Sequence, residues 1–110
     1  MRLSNTAVVN RNELWMQGSV SEPYEAGWAE TALIFVRALK PGLGAKGRAH
    51  VEISPDGMHW LREGTSFDLP FDQDEITYAR VRDFGNWLRI SAELDADCAV
   101  TVLVTLHLKA

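Results

Sequence analysis

The chain has 110 residues, 46% of them apolar and 24% charged, which suits one globular domain over residues 1–110 and leaves too little length for a second core. A formal charge of −4, with lysine and arginine scattered along the chain, gives no electrostatic footprint for a nucleic-acid partner. No window approaches the ~18 consecutive apolar residues of a membrane span, and a single cysteine excludes an internal disulfide framework.

The opening stretch, MRLSNTAVVNRNELW, carries Arg2 but no long apolar run and reads poorly as an export signal, so a cytoplasmic or virion-associated setting is expected. Two short strands are expected next, TAVVN (6–10) and ELWMQGSV (13–20), followed by a loop, SEPYEAG (21–27). The segment WAETALIFVRALK (28–40) mixes helix-favouring Ala, Leu and Glu with a strand-favouring Ile-Phe-Val centre; with strands on every side, it is read as a strand. Behind it KPGLGAKG (40–47) is a loop.

RAHVEIS (48–54) alternates Ala49, Val51 and Ile53 against Arg48, His50 and Glu52. Pro55-Asp56-Gly57 follows; proline presets φ and glycine accepts a positive one, so residues 54–57 are expected to form a tight hairpin leading into MHWLRE (58–63). EITYARVRDFG (75–85) is a further strand, ended by a bend or bulge at Phe84-Gly85. NWLRISAEL (86–94) and CAVTVLVTLHLK (98–109) both alternate, and DADC (95–98) between them reads as the connection of an antiparallel hairpin. Six to eight short strands with turn signals between them indicate an all-β, antiparallel, jelly-roll-like sandwich with its long apolar terminal strands at the centre.

Catalytic chemistry is thinly represented. His50, His59 and His107 are far apart, with no HxH, HxxxH or CxxC spacing to hold a metal. SFDLPFDQDE (66–75) gathers Asp68, Asp72, Asp74 and Glu75 like part of a calcium loop, but without the central glycine and closing glutamate, and a solvated acidic loop is expected. Asp95 and Asp97 supply turn chemistry, Cys98 sits in an apolar alternating run as a core thiol, and no cofactor is implied.

The four tryptophans are more telling. Trp87 shares a strand face with Arg89, Ser91 and Glu93 rather than with Leu88 and Ile90, which would present it to another subunit or a ligand; a register shift at Phe84-Gly85 would instead turn it inward. Both arrangements are compatible with the sequence.

Ser54, Asp56, Gly57 and Trp60 form a Ser-x-Asp-Gly-x-x-Trp turn, followed later by Trp87-Leu88-Arg89-Ile90. Over residues 49–94 this resembles the second half of discoidin-type, galactose-binding-like jelly rolls, and the turn also resembles one found in bacterial and phage sandwich proteins. The resemblance implies a sandwich in which the serine and aspartate cap the turn while Trp60 packs across the hairpin as a core anchor.

Three functions follow as expectations. The first is a non-catalytic module that forms a homo-oligomer, a trimer among the candidates, or decorates a protein shell or phage-like particle, using Trp87, Arg89 and the Thr101–His107 face. The second, implied by the resemblance and the tryptophan count, is carbohydrate binding through Trp28, Trp87, Arg89 and the acidic loop. The third is an enzyme with Asp72, Asp74 or His50 acting across a subunit interface.

Overall fold

The computed structural model describes residues 3–44 and 46–110, so Arg2 and Ala45 lie outside it. Eight strands build the fold: β1 (Ser4–Trp15), β2 (Tyr24–Glu25), β3 (Thr31–Ala38), β4 (Gly47–Ser54), β5 (Leu61–Asp68), β6 (Ile76–Arg82), β7 (Trp87–Leu94) and β8 (Val100–Lys109). They form two four-stranded antiparallel sheets, sheet A in the order β1-β8-β3-β6 and sheet B in the order β2-β7-β4-β5. First strand pairs with last, second with seventh, third with sixth and fourth with fifth, the nested pairing of a jelly roll.

The period-2 alternation explains why the sheets face each other. In β8, Val100, Val102, Val104, Leu106 and Leu108 are buried, and β7 contributes Leu88, Ile90, Ala92 and Leu94 from the opposite sheet. With Ile34 and Val36 of β3, Val51 of β4 and a fully buried Trp15, they form one continuous core. Each fully buried Val, Leu or Ile contributes about 1.5–3 kcal/mol over an exposed one, so this layer carries the stability of a chain that has no disulfide. Cys98 is buried in the same core.

Several expectations need correction. β7 and β8 are not a hairpin: they belong to different sheets, and residues 95–99 carry the chain across the sandwich, turning at the Asp95 carbonyl and bridging to Leu43. One apolar face per strand is satisfied as well by facing across a core as by lying side by side, so alternation does not choose between them. The two expected N-terminal strands are one long β1 with irregularities between Val8 and Asn10 and between Asn10 and Glu13, where Asn12 takes φ 49°. β1 is an edge strand, so only the C-terminal one of the two long terminal strands is central. Tyr24 and Glu25, expected in a loop, pair with Leu88 and Trp87 because the segment 18–25 docks along β7.

Candidate interaction surface

Ser54 ends β4 with its hydroxyl turned into the turn that follows. Its Oγ accepts the N–H of Gly57 (2.8 Å) and of Asp56 (3.2 Å) and donates to Asp56 Oδ1 (3.0 Å). Asp56 Oδ1 also accepts the N–H of Met58 and of His59, at 2.8 and 2.9 Å, while Oδ2 meets His59 Nδ1 at 2.6 Å. The His59 backbone N–H, then its ring, then the Met58 N–H hold the Asp56 carboxyl well below the usual carboxylate range. The carboxylate stands between hydroxyl and imidazole, so the trio locks a turn and lacks the direct serine–histidine bond of an activated nucleophile. Because Asp56 caps residues as far as His59, the connection from β4 to β5 spans residues 55–60, longer than the expected tight turn.

Trp87 points outward, as its sharing a face with Arg89 requires; the bend at Phe84-Gly85 leaves Phe84 buried and does not reverse β7. The ring is covered from within the chain. A Cβ on Gly57, which has φ +80°, would come within 3.1 Å of Trp87 Cε2, so the glycine turn is seated on the indole. Trp60 is no core anchor: it lies half-buried on the outer side of sheet B, with the Arg89 guanidinium 4.3 Å from its ring centroid. Arg89 Nε donates to Glu52 Oε1 at 2.7 Å, making a Glu52–Arg89–Trp60 stack worth about 0.5–2 kcal/mol in its cation–π contact. The six-residue loop swings Trp60 over β7, and Trp15 takes the core position instead.

His50 and Arg48 on that face are paired off in the same way. His50 Nε2 lies 2.8 Å from Glu93 Oε1, which draws the Glu93 carboxyl below its ordinary range. Arg48 reaches Asp68 Oδ1 and Ser66 Oγ, both at 2.6 Å. The acidic loop behaves likewise: Asp74 pairs with Arg37 at 2.8 Å, and Glu75 Oε1 accepts the Phe71 N–H at 2.9 Å. Among the described residues no group of three or more His, Cys, Asp or Glu side chains is placed to hold a metal ion.

The outer face of sheet A has another character. Tyr78 of β6, Phe35 of β3 and His107 of β8 form an aromatic row across three strands, with centroids 5.8 Å apart for Phe35–Tyr78 and 4.9 Å for Phe35–His107. Ile76 and Leu103 extend it around a shallow depression of about 240 Å³ that Phe35, Arg37, Thr105 and His107 also line. Tyr78 is 57% exposed and Ile76 55%. Of the residues singled out from the sequence, His107 belongs to this face, while Trp87 and Arg89 occupy the opposite side of the sandwich, and Trp28 stands partly exposed on the turn after β2. Leu103 lies within the Thr101–His107 face expected to pair, whereas Phe35, Ile76 and Tyr78 were not among the expected residues. The signal for them was TALIFV, a strand apolar at every position after the threonine, which is the pattern of a strand covered on both faces.

No protein-family model and no curated protein sequence matches the chain. In three dimensions it is similar to the SPBc2 prophage-derived protein YomS, with TM-score 0.64 and 8% identity over 100% of this chain and 96% of that one. It is also similar to a protein of Bacillus endospore appendages, described as a novel family of disulfide-linked pili, with TM-score 0.53 and 9% identity over 97% of this chain and 87% of that one. At such identities the likeness shows the all-β sandwich fold alone. Neither neighbour is described as a galactose-binding domain, so what holds of the resemblance over residues 49–94 is the sandwich.

Proposed function

We propose that this domain is a non-catalytic assembly module that packs against further copies of itself, alone or within a larger shell, through the outer face of sheet A. The observation that carries the reading is the Tyr78–Phe35–His107 row with Ile76 and Leu103: aromatic and aliphatic side chains standing together on a sheet face, which mark interfaces more often than free surface. Sheet B supports it by contrast, because its outward Trp60, Trp87, His50, Glu52 and Arg89 are already engaged within the chain. The fold neighbour from spore appendages is a pilus protein, which supports the reading through its fold; the single cysteine, Cys98, is buried, so the contact proposed here does not draw on a disulfide.

Sedimentation velocity over a micromolar concentration series tests it. The wild type is expected to run heavier than a monomer, and an Ile76→Ser/Tyr78→Ser double variant to run as a folded monomer with an unchanged circular-dichroism spectrum. A wild type that stays monomeric across the series would falsify self-assembly.

A further inference from the structure

The two lateral edges of the sandwich differ in charge. Along one edge, β1 and the segment docked on β7 come together, with Asn5 Nδ2 donating to Tyr24 Oη at 2.9 Å and the Glu22 N–H to Asn10 Oδ1 at 3.1 Å. Residues 12–25, the part of the chain that runs along this edge, carry Glu13, Glu22 and Glu25 and no lysine, arginine or histidine. Glu22 and Glu25 are exposed, and among the described residues neither forms an ion pair. Leu14, Met16 and Val20 lie exposed beside them, and Arg11 is the one described cation on β1.

The opposite edge of sheet A is β6. Arg80 and Arg82 are paired in register with Leu33 and Thr31, which puts them on the outer face next to Tyr78. Both are exposed, and among the described residues neither has a carboxylate within ion-pair distance. Lys109 adds a third cation to that face, Asp74 pairs with Arg37, and Glu30 stands exposed at the end of the face, its N–H donated to the Lys109 carbonyl. Nearby, Glu63 is turned onto the Thr65 N–H and Asp83 ends the strand.

From this we infer that copies associate head to tail: the basic, aromatic β6 side of sheet A in one copy receives the acidic Glu22–Glu25 edge of the next. The inference rests on the assembly reading and adds the polarity of the contact. A two-fold contact between two sheet A faces would bring Arg80, Arg82 and Lys109 of one copy toward the same cations of the other, whereas the heterologous contact sets them against glutamates and covers Met16 and Val20 with Tyr78 and Ile76. Because donor and acceptor edges lie on opposite sides of the molecule, each copy keeps one of each free, and the contact propagates as a chain or closes as a ring.

Charge reversal at exposed positions tests the polarity. Arg80→Glu/Arg82→Glu makes both edges acidic and Glu22→Arg/Glu25→Arg makes both basic, so each variant alone is expected to self-associate roughly a hundredfold more weakly than wild type. Mixed in equal amounts they should co-assemble into species larger than a dimer, and raising the salt concentration should dissolve these species together with the wild-type assembly. Circular dichroism of each variant checks that it remains folded. If the wild type associates and the Glu22→Arg/Glu25→Arg variant associates equally well, or if the mixture stops at a dimer, head-to-tail polarity is wrong while self-assembly stands. A wild type that does not associate at all defeats both.

Discussion

The two outer sheet faces are built from the same alternating strands and reach opposite outcomes. On sheet B the outward groups of β4 and β7 find partners inside the chain: Trp87 on Gly57, Trp60 under Arg89, Arg89 with Glu52, His50 with Glu93. On sheet A the aromatic row has neighbours beside it, and Tyr78 and Ile76 stand more than half exposed. An outward tryptophan is therefore a poor guide to a binding face; what distinguishes the faces is whether a loop folds back over the sheet. Sheet B has the 55–60 loop, built by Ser54 and Asp56, and sheet A has no such cover over Tyr78 and Ile76.

Substitutions on sheet B should cost stability. The largest loss is expected from Gly57→Val, which forces a branched side chain into φ +80° and against the Trp87 ring: about 2–3 kcal/mol in urea denaturation. Gly85→Ala sharpens the point, since Gly85 has φ +79° with nothing within 4 Å of a new Cβ, and should lose only about 1 kcal/mol. Glu52→Ala removes the partner of an Arg89 side chain that is 21% exposed, and should lower stability by about 1–2 kcal/mol in the same assay.

The turn also sets an acid limb. The Asp56 carboxyl is depressed in the folded state, so its contribution is fully present above its unfolded value near 4 and fades as pH falls through the folded one. Thermal melts between neutral pH and strong acid should show the wild type losing its advantage over Asp56→Asn as the pH drops below about 4. At the small end, Ile76→Ser and Tyr78→Ser on sheet A should leave monomer stability within about 0.5 kcal/mol of wild type while changing association.

Most of the architecture was legible in the sequence because β4, β7 and β8 alternate cleanly over one buried face. Which strands share a sheet was not, since β7 and β8 satisfy the same pattern facing each other as they would side by side. The turn residues Ser54, Asp56 and Gly57 announced themselves, but the reach of Asp56 to His59 sets the length of the loop and thereby the position of Trp60, and that depends on hydrogen bonds composition does not encode. The β8 strip of the sheet A surface is legible in the Thr101–His107 alternation, but its continuation through Leu33, Phe35, Ile76 and Tyr78 depends on which strands lie beside β8, and the tryptophans are misleading because their partners lie far away in sequence.

The most direct measurement sets Tyr78→Ser beside Trp87→Ala, recording mass by sedimentation equilibrium and stability by urea denaturation for both. The expected result is a split: Tyr78→Ser dissociates the assembly and keeps wild-type stability, while Trp87→Ala loses stability and, under conditions where it is folded, keeps the assembly. If Trp87→Ala dissociates a well-folded protein and Tyr78→Ser leaves the mass unchanged, the interface lies on sheet B and the contrast drawn between the two faces is reversed.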